Sequence, residues 1–143
     1  IRCYLFSEYM EYLQENDFPM PYCLFIDYKV NNKMIDMAIP IEEGEVEKII
    51  AIEIKYDPSP SGVEEDLAKI KELIEKGVAS RGFFITLALG DYGLKERLEE
   101  SGVFSKFELT SEGEGNRGFV EWRSFMRPYD SKIVDSLCII LRK

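Results

Sequence analysis

Histidine is absent from this 143-residue chain. Its absence removes Ser-His-Asp and Cys-His nucleophile chemistry and the imidazole part of the usual zinc ligand sets. Cysteine is scarce. Cys3, Cys23 and Cys138 are odd in number and never spaced as CxxC, so neither a disulfide framework nor a thiolate zinc site is implied, and reduced thiols in a cytoplasmic setting are the default expectation. Positive charge is in short supply: 18 Lys and Arg stand against 27 Asp and Glu, a net charge of −9. Such a balance argues against a surface that coats nucleic acid generally. No apolar run approaches the ~18–20 residues of a membrane helix and no signal-peptide pattern is present, so no membrane association is expected. The chain starts at Ile1 rather than Met, which suggests a piece of a longer protein.

What is present is a chain with 45% hydrophobic and 31% charged residues, enough for one folded domain over 1–143 with its own core. With thiolate and imidazole ligands lacking, any metal would be held by oxygen, which favours Mg²⁺, Mn²⁺ or Ca²⁺. The charge deficit is uneven. Residues 1–100 hold 11 basic and 21 acidic side chains, while residues 101–143 hold 7 and 6. A polyanion would therefore be met by the last third, or by another chain.

The run Ile49-Ile50-Ala51-Ile52-Glu53-Ile54-Lys55-Tyr56-Asp57 organises the rest. It is β-branched and apolar, and alternation puts Ala51, Glu53, Lys55 and Asp57 on one face. Charges on a strand this apolar need partners or a metal. Upstream, residues 2–15 read as a helix with Leu5, Tyr9, Tyr12 and Leu13 as its apolar stripe and Glu8, Glu11 and Glu15 on the flank. Residues 22–30 read as a strand, Asn31-Asn32 as a turn, and residues 33–39 as the returning strand, carrying Asp36 and ended by Pro40. The three strands should form an antiparallel meander. Residues 63–76 follow as a helix with the stripe Val63, Leu67, Ile70 and Ile74 and a C-terminal Gly77, and residues 81–89 as a strand for the middle of a sheet. A right-handed crossover between parallel strands is the natural link. Beyond it, residues 93–101 suggest a short helix closed by Gly102, and residues 104–110 and 118–126 a β-hairpin. Residues 131–141 carry a helix-like stripe in Ile133, Leu137 and Ile140. Cys138-Ile139-Ile140-Leu141 would equally suit a strand, but a terminal helix is expected.

The order of helix with Glu, strand, strand with Asp36, strand with Glu53-Ile54-Lys55, helix and buried strand resembles the αβββαβ core of the PD-(D/E)XK nuclease superfamily, which includes restriction endonucleases and Holliday junction resolvases. The resemblance covers about residues 8–89, within a core of about 2–90, and leaves 91–143 as an extension. It implies an α/β fold, a mixed sheet flanked by helices, and hydrolysis of DNA phosphodiester bonds. Asp36 would match the acid of the second core strand, Glu53 and Lys55 the acid and lysine of the third, and Glu8 or Glu11 the helix-borne acid. Ile35 stands where the motif's proline would be. Were Asp36 and Glu53 to share a face, they could hold Mg²⁺ or Mn²⁺ with the Ile54 carbonyl, and Lys55 could orient the attacking water. Asp57 is a candidate fourth carboxylate.

Substrate contacts are expected from Arg117, Arg123 and Arg127, interleaved with Phe119, Trp122, Phe125 and Tyr129, because arginine binds phosphate and aromatic rings stack on bases. Lys69 is a further candidate near the site, although pairing with Glu65 at i,i+4 also accounts for it. The DNA could be branched, nicked or single-stranded. A second reading is a noncatalytic interaction module on the same fold, within a larger complex or a homodimer.

Overall fold

The computed structural model describes residues 24–111 and 117–143. Its framework is a seven-stranded mixed sheet of order β1-β2-β3-β4-β7-β6-β5. The strands are β1 (Phe25–Val30), β2 (Lys33–Glu43), β3 (Val46–Tyr56), β4 (Ala79–Leu89), β5 (Leu109–Thr110), β6 (Gly118–Met126) and β7 (Ile133–Arg142). The helices are α1 (Pro60–Glu75), α2 (Leu94–Ser101) and α3 (Val103–Lys106), with a 3₁₀ turn at Gly90–Tyr92. None of the described helices is long and apolar enough to cross a membrane.

β1, β2 and β3 form an antiparallel meander. The β1–β2 turn works because Asn31 and Asn32 both take positive φ, +48° and +61°, which asparagine tolerates and a type I′-like hairpin turn demands. From β3 the chain crosses through α1 to β4, which pairs parallel to β3. The Ser59 side chain caps α1 by accepting from Gly62 N–H, and Gly77 follows its end at φ +74°.

The face of α1 formed by Val63, Leu67, Ile70, Leu73 and Ile74 is buried. These side chains belong to one core with Ala51, Phe84 and Ala88 from the sheet and Leu94, Leu98 and Val103 from the shorter helices. Helix and sheet come close at Gly82, where an added Cβ would lie 2.1 Å from Ile70 Cγ2. β4 is fourth of seven strands, the central position its apolar composition calls for.

Three expectations need correction. Residues 133–142 form strand β7, not a terminal helix. β7 pairs antiparallel with β4 along nearly its whole length and buries Leu137, Ile139 and Leu141 in alternation. Nor does the segment 104–110 make a hairpin with 118–126. Its first part is helical in α3, and only Leu109–Thr110 joins β6, in parallel, while the antiparallel partner of β6 is β7. Pro40 does not end β2, which runs on to Glu43. The β1–β2 ladder stops at Phe25 and Ala38, so Pro40 sits beyond it, where a missing N–H breaks no described ladder bond.

Candidate functional site

The meander places Asp36 just past the last paired residue of β2 and Glu53 just past its counterpart on β3, since the register ends at Met37 opposite Ile52. Past that point a side chain replaces the backbone ladder: the Asp36 carboxylate Oδ2 accepts from Ile54 N–H at 2.8 Å. This fixes the Asp36 carboxylate beside β3. Glu53 is buried, with 2% of its surface exposed. Lys55 lies two residues on, on the same face and half-exposed.

α1 closes the arrangement from above. Lys69 Nζ reaches Glu53 Oε1 at 2.6 Å and Asp66 Oδ1 at 3.4 Å, and donates to the Met34 carbonyl at 2.9 Å. Its contact with Glu53 is a short ion pair, and no hydrogen bond to the buried Oε1 accompanies it among the described residues. Asp66 Oδ2 stands 3.3 Å from Lys55 Nζ, which also lies 3.4 Å from the Gly62 carbonyl. Three carboxylates and two ammonium groups thus interlock across two strands and one helix. A groove of about 400 Å³, lined by Lys33, Asp66, Lys69 and Glu72 among others, opens beside them.

Burial dominates the electrostatics. It pushes the Glu53 carboxyl up to about 8; Lys69 pulls it back, and the neighbouring Asp36 pushes it further up. The Lys69 ammonium is held above its ordinary value, because pairing with Glu53 and Asp66 outweighs the burial that lowers it. At neutral pH burial therefore keeps Glu53 largely protonated, even with one ammonium in contact.

No protein-family model, curated protein or solved structure matches this chain.

Of the residues singled out in the sequence, Asp36, Glu53, Lys55 and Lys69 come together. Lys69 is turned to Glu53 and Asp66 rather than to Glu65. Asp57 is engaged elsewhere, with Arg97 Nη2 at 2.5 Å from its Oδ1. Glu8 and Glu11 lie outside the described residues. The arginines are not brought to this cluster: β7 and β4 separate β6 from β3. Arg123 bonds Glu121 at 2.7 Å, and Arg127 pairs with Asp130 and lies 4.6 Å from the Tyr129 ring centre. Trp122 is half-buried against Phe104, ring centres 6.1 Å apart.

Two residues escaped the sequence reading. Asp66 falls three residues after Val63 and one before Leu67, inside the buried stripe of α1, and is itself buried. A carboxylate at such a position must find cations, so helical spacing could have flagged it. Thr86 pairs in register with Lys55 and is fully buried, and its hydroxyl has no hydrogen-bond partner among the described residues. Alternation along β4 puts it on the face of Phe84 and Ala88, but nothing local distinguishes it from a core threonine.

As a donor set the cluster is all oxygen. Among the described residues no group of three acids is arranged to hold a metal ion. The neighbouring Asp36 and Glu53 carboxylates could nevertheless hold Mg²⁺, which keeps waters in its shell and takes one or two protein carboxylates plus substrate oxygens.

Proposed function

We propose that this chain is a metal-dependent nuclease domain of the PD-(D/E)XK kind, hydrolysing phosphodiester bonds in DNA. The observation that carries the reading is the Asp36–Glu53 carboxylate pair, with Lys55 two residues along the same strand face and the crossover helix closing over all three. The described topology supports it: an antiparallel meander, a helical crossover and a parallel fourth strand. A reducing, cytoplasmic setting belongs with the same reading.

Asp36 and Glu53 would hold Mg²⁺ or Mn²⁺. The ion, when bound, polarises a phosphodiester oxygen and acidifies a coordinated water. The chain's own residues do the rest. Asp36 is held in place by Ile54 N–H, so its carboxylate needs no reorganisation to bind. Lys55 is half-exposed and pointed along the face by Asp66, where its ammonium can orient the attacking water and offset charge that develops on the phosphate. Lys69 holds Glu53 in place from the helix side. Burial of Glu53 excludes water from one flank of the pair, which strengthens each of these interactions.

One observation favours the second reading, a noncatalytic interaction module. Two lysines already compensate most of the charge of three acids, so the cluster can stand as a structural network without an ion. Incubation with single-stranded, nicked, branched and duplex DNA in Mg²⁺ or Mn²⁺ separates the two. We expect cleavage of at least one substrate, reduced about 10²-fold or more by Asp36→Asn or Lys55→Ala with circular dichroism unchanged. A folded chain that neither cleaves nor binds Mn²⁺ would establish the module reading instead.

A further inference from the structure

At the opposite end of α1 from Lys55, a concavity of about 350 Å³ opens between the last turns of that helix, the α3–β5 connection and the end of β7. We propose that it binds a nucleoside phosphate, as a free nucleotide or as the terminal nucleotide of a strand. It is separate from the carboxylate cluster, and the proposal stands whether or not that cluster is catalytic.

The charge of the lining points to an anion. Lys71, Arg117 and Arg142 converge on the cavity in a chain whose net charge is −9. The groove beside Lys69, by contrast, is lined by Lys33, Lys69, Glu65, Asp66 and Glu72 and is net acidic. The side chains of Lys71 and Arg117 are exposed and make no hydrogen bond or ion pair among the described residues. Planar guanidinium groups present paired N–H donors that match phosphate oxygens two at a time.

The remainder of the lining specifies the body of the ligand. Ile74 and Leu141 supply a buried apolar floor, and the half-buried Phe107 ring adds an aromatic wall, the surface on which a base stacks. Glu75 and Glu108, exposed residues of the same lining, offer carboxylate acceptors that suit sugar hydroxyls or an exocyclic amine. A fatty-acid carboxylate has no donor for them, and inorganic phosphate has no base to lie against Phe107. The volume lies at the low end of the ~300–1,000 Å³ typical of ligand pockets, the size of one nucleotide unit rather than of a longer chain. The wall is preformed. Arg142 N–H donates to the Arg117 carbonyl at 2.9 Å, and a Cβ on Gly118 would lie 2.6 Å from Leu109 Cδ2 and 3.1 Å from the Phe107 carbonyl.

The test is calorimetric titration of the 143-residue chain with adenosine monophosphate, a 5′-phosphorylated oligonucleotide, its unphosphorylated counterpart and inorganic phosphate, at low salt and without divalent ions. Saturable binding of the monophosphate or the phosphorylated strand is expected, weakened about tenfold or more in Arg117→Ala and in Lys71→Glu, and unchanged in Lys29→Ala, an exposed position on the edge strand β1. Equal affinity for the two ligands identifies a mononucleotide site; tighter binding of the strand identifies a terminal-nucleotide site. The proposal is overturned if neither ligand saturates, if inorganic phosphate binds as tightly as the nucleotide, or if folded Arg117→Ala and Lys71→Glu bind like the parent. Both substituted side chains are exposed, so folding should survive, and circular dichroism checks it.

Discussion

At the scale of single residues, the decisive fact is where Glu53 sits. A carboxyl group removed from water holds its proton more tightly, and this one is pushed up to about 8 despite the ammonium beside it. The consequence for stability has a definite sign. Between the ordinary value of 4.5 and about 8 the folded chain keeps a proton that the unfolded chain has lost. Stability therefore falls as pH rises through that window, by roughly 1.4 kcal/mol per pH unit at the steepest. Urea melts in chelator at pH 5.5 and 8.5 should show the parent less stable at the higher pH, and Glu53→Gln should flatten the difference. A parent as stable at 8.5 as at 5.5 would contradict the burial argument. The cluster was only partly visible from spacing. Glu53 and Lys55 stood out as charges on an apolar strand, and Asp36 as an acid on its neighbour. Asp66 hid because a charge next to a helical stripe reads as solvated until something packs over it, and Lys69 because Glu65 offered it a local partner.

At the scale of elements, α1 is the part that turns separate charges into a site, since Asp66 and Lys69 both ride on it. Its seat is Gly82. Any side chain there would meet Ile70, the residue after Lys69, far inside contact distance. Gly82→Ala should then lift the helix and cost about 1–3 kcal/mol, the range for overpacking a core. The same displacement should loosen Lys69 from Glu53. Chemical denaturation measures the first effect, and a fall in the apparent pKa of Lys69 by NMR reports the second. β7 illustrates the opposite lesson about elements. Ile133, Leu137 and Ile140 recur at helical spacing, but Leu137, Ile139 and Leu141 alternate equally well. A segment apolar on both faces has no unique period, and only the unsatisfied edge of β4 selects the strand.

At the scale of the whole molecule, β5, β6 and β7 are not an appendage to a core ending near residue 90. They continue the same sheet, joined to β3 through β4. Trp122, the single tryptophan, lies on β6, while the acids lie on β2 and β3. A sheet hydrogen-bonded across all seven strands should unfold as one unit. Urea transitions followed by Trp122 fluorescence and by far-ultraviolet circular dichroism are thus expected to share one midpoint. Two separated midpoints would mean that the strands beyond β4 melt independently. Charge, too, is arranged at this scale: the acidic groove lies along the middle of α1 and the basic concavity at its C-terminal end.

Local pattern was enough for the meander, the asparagine turn, the α1 stripe, the crossover and the central place of β4. Each rests on periodicity, turn chemistry or apolar content within a few residues. It was enough, as well, to pick Asp36, Glu53 and Lys55 as the charges to watch. Long-range pairing alone chose strand over helix for β7, set β5 parallel to β6, and carried β2 through Pro40. It also brought Asp66 and Lys69 over the strand acids and gathered Lys71, Arg117 and Arg142 around an apolar floor. The physical reason is common to all of these. A hydrogen-bonding edge, a buried charge or a cavity wall is defined by a partner distant in the chain, and periodicity within one segment carries no information about that partner.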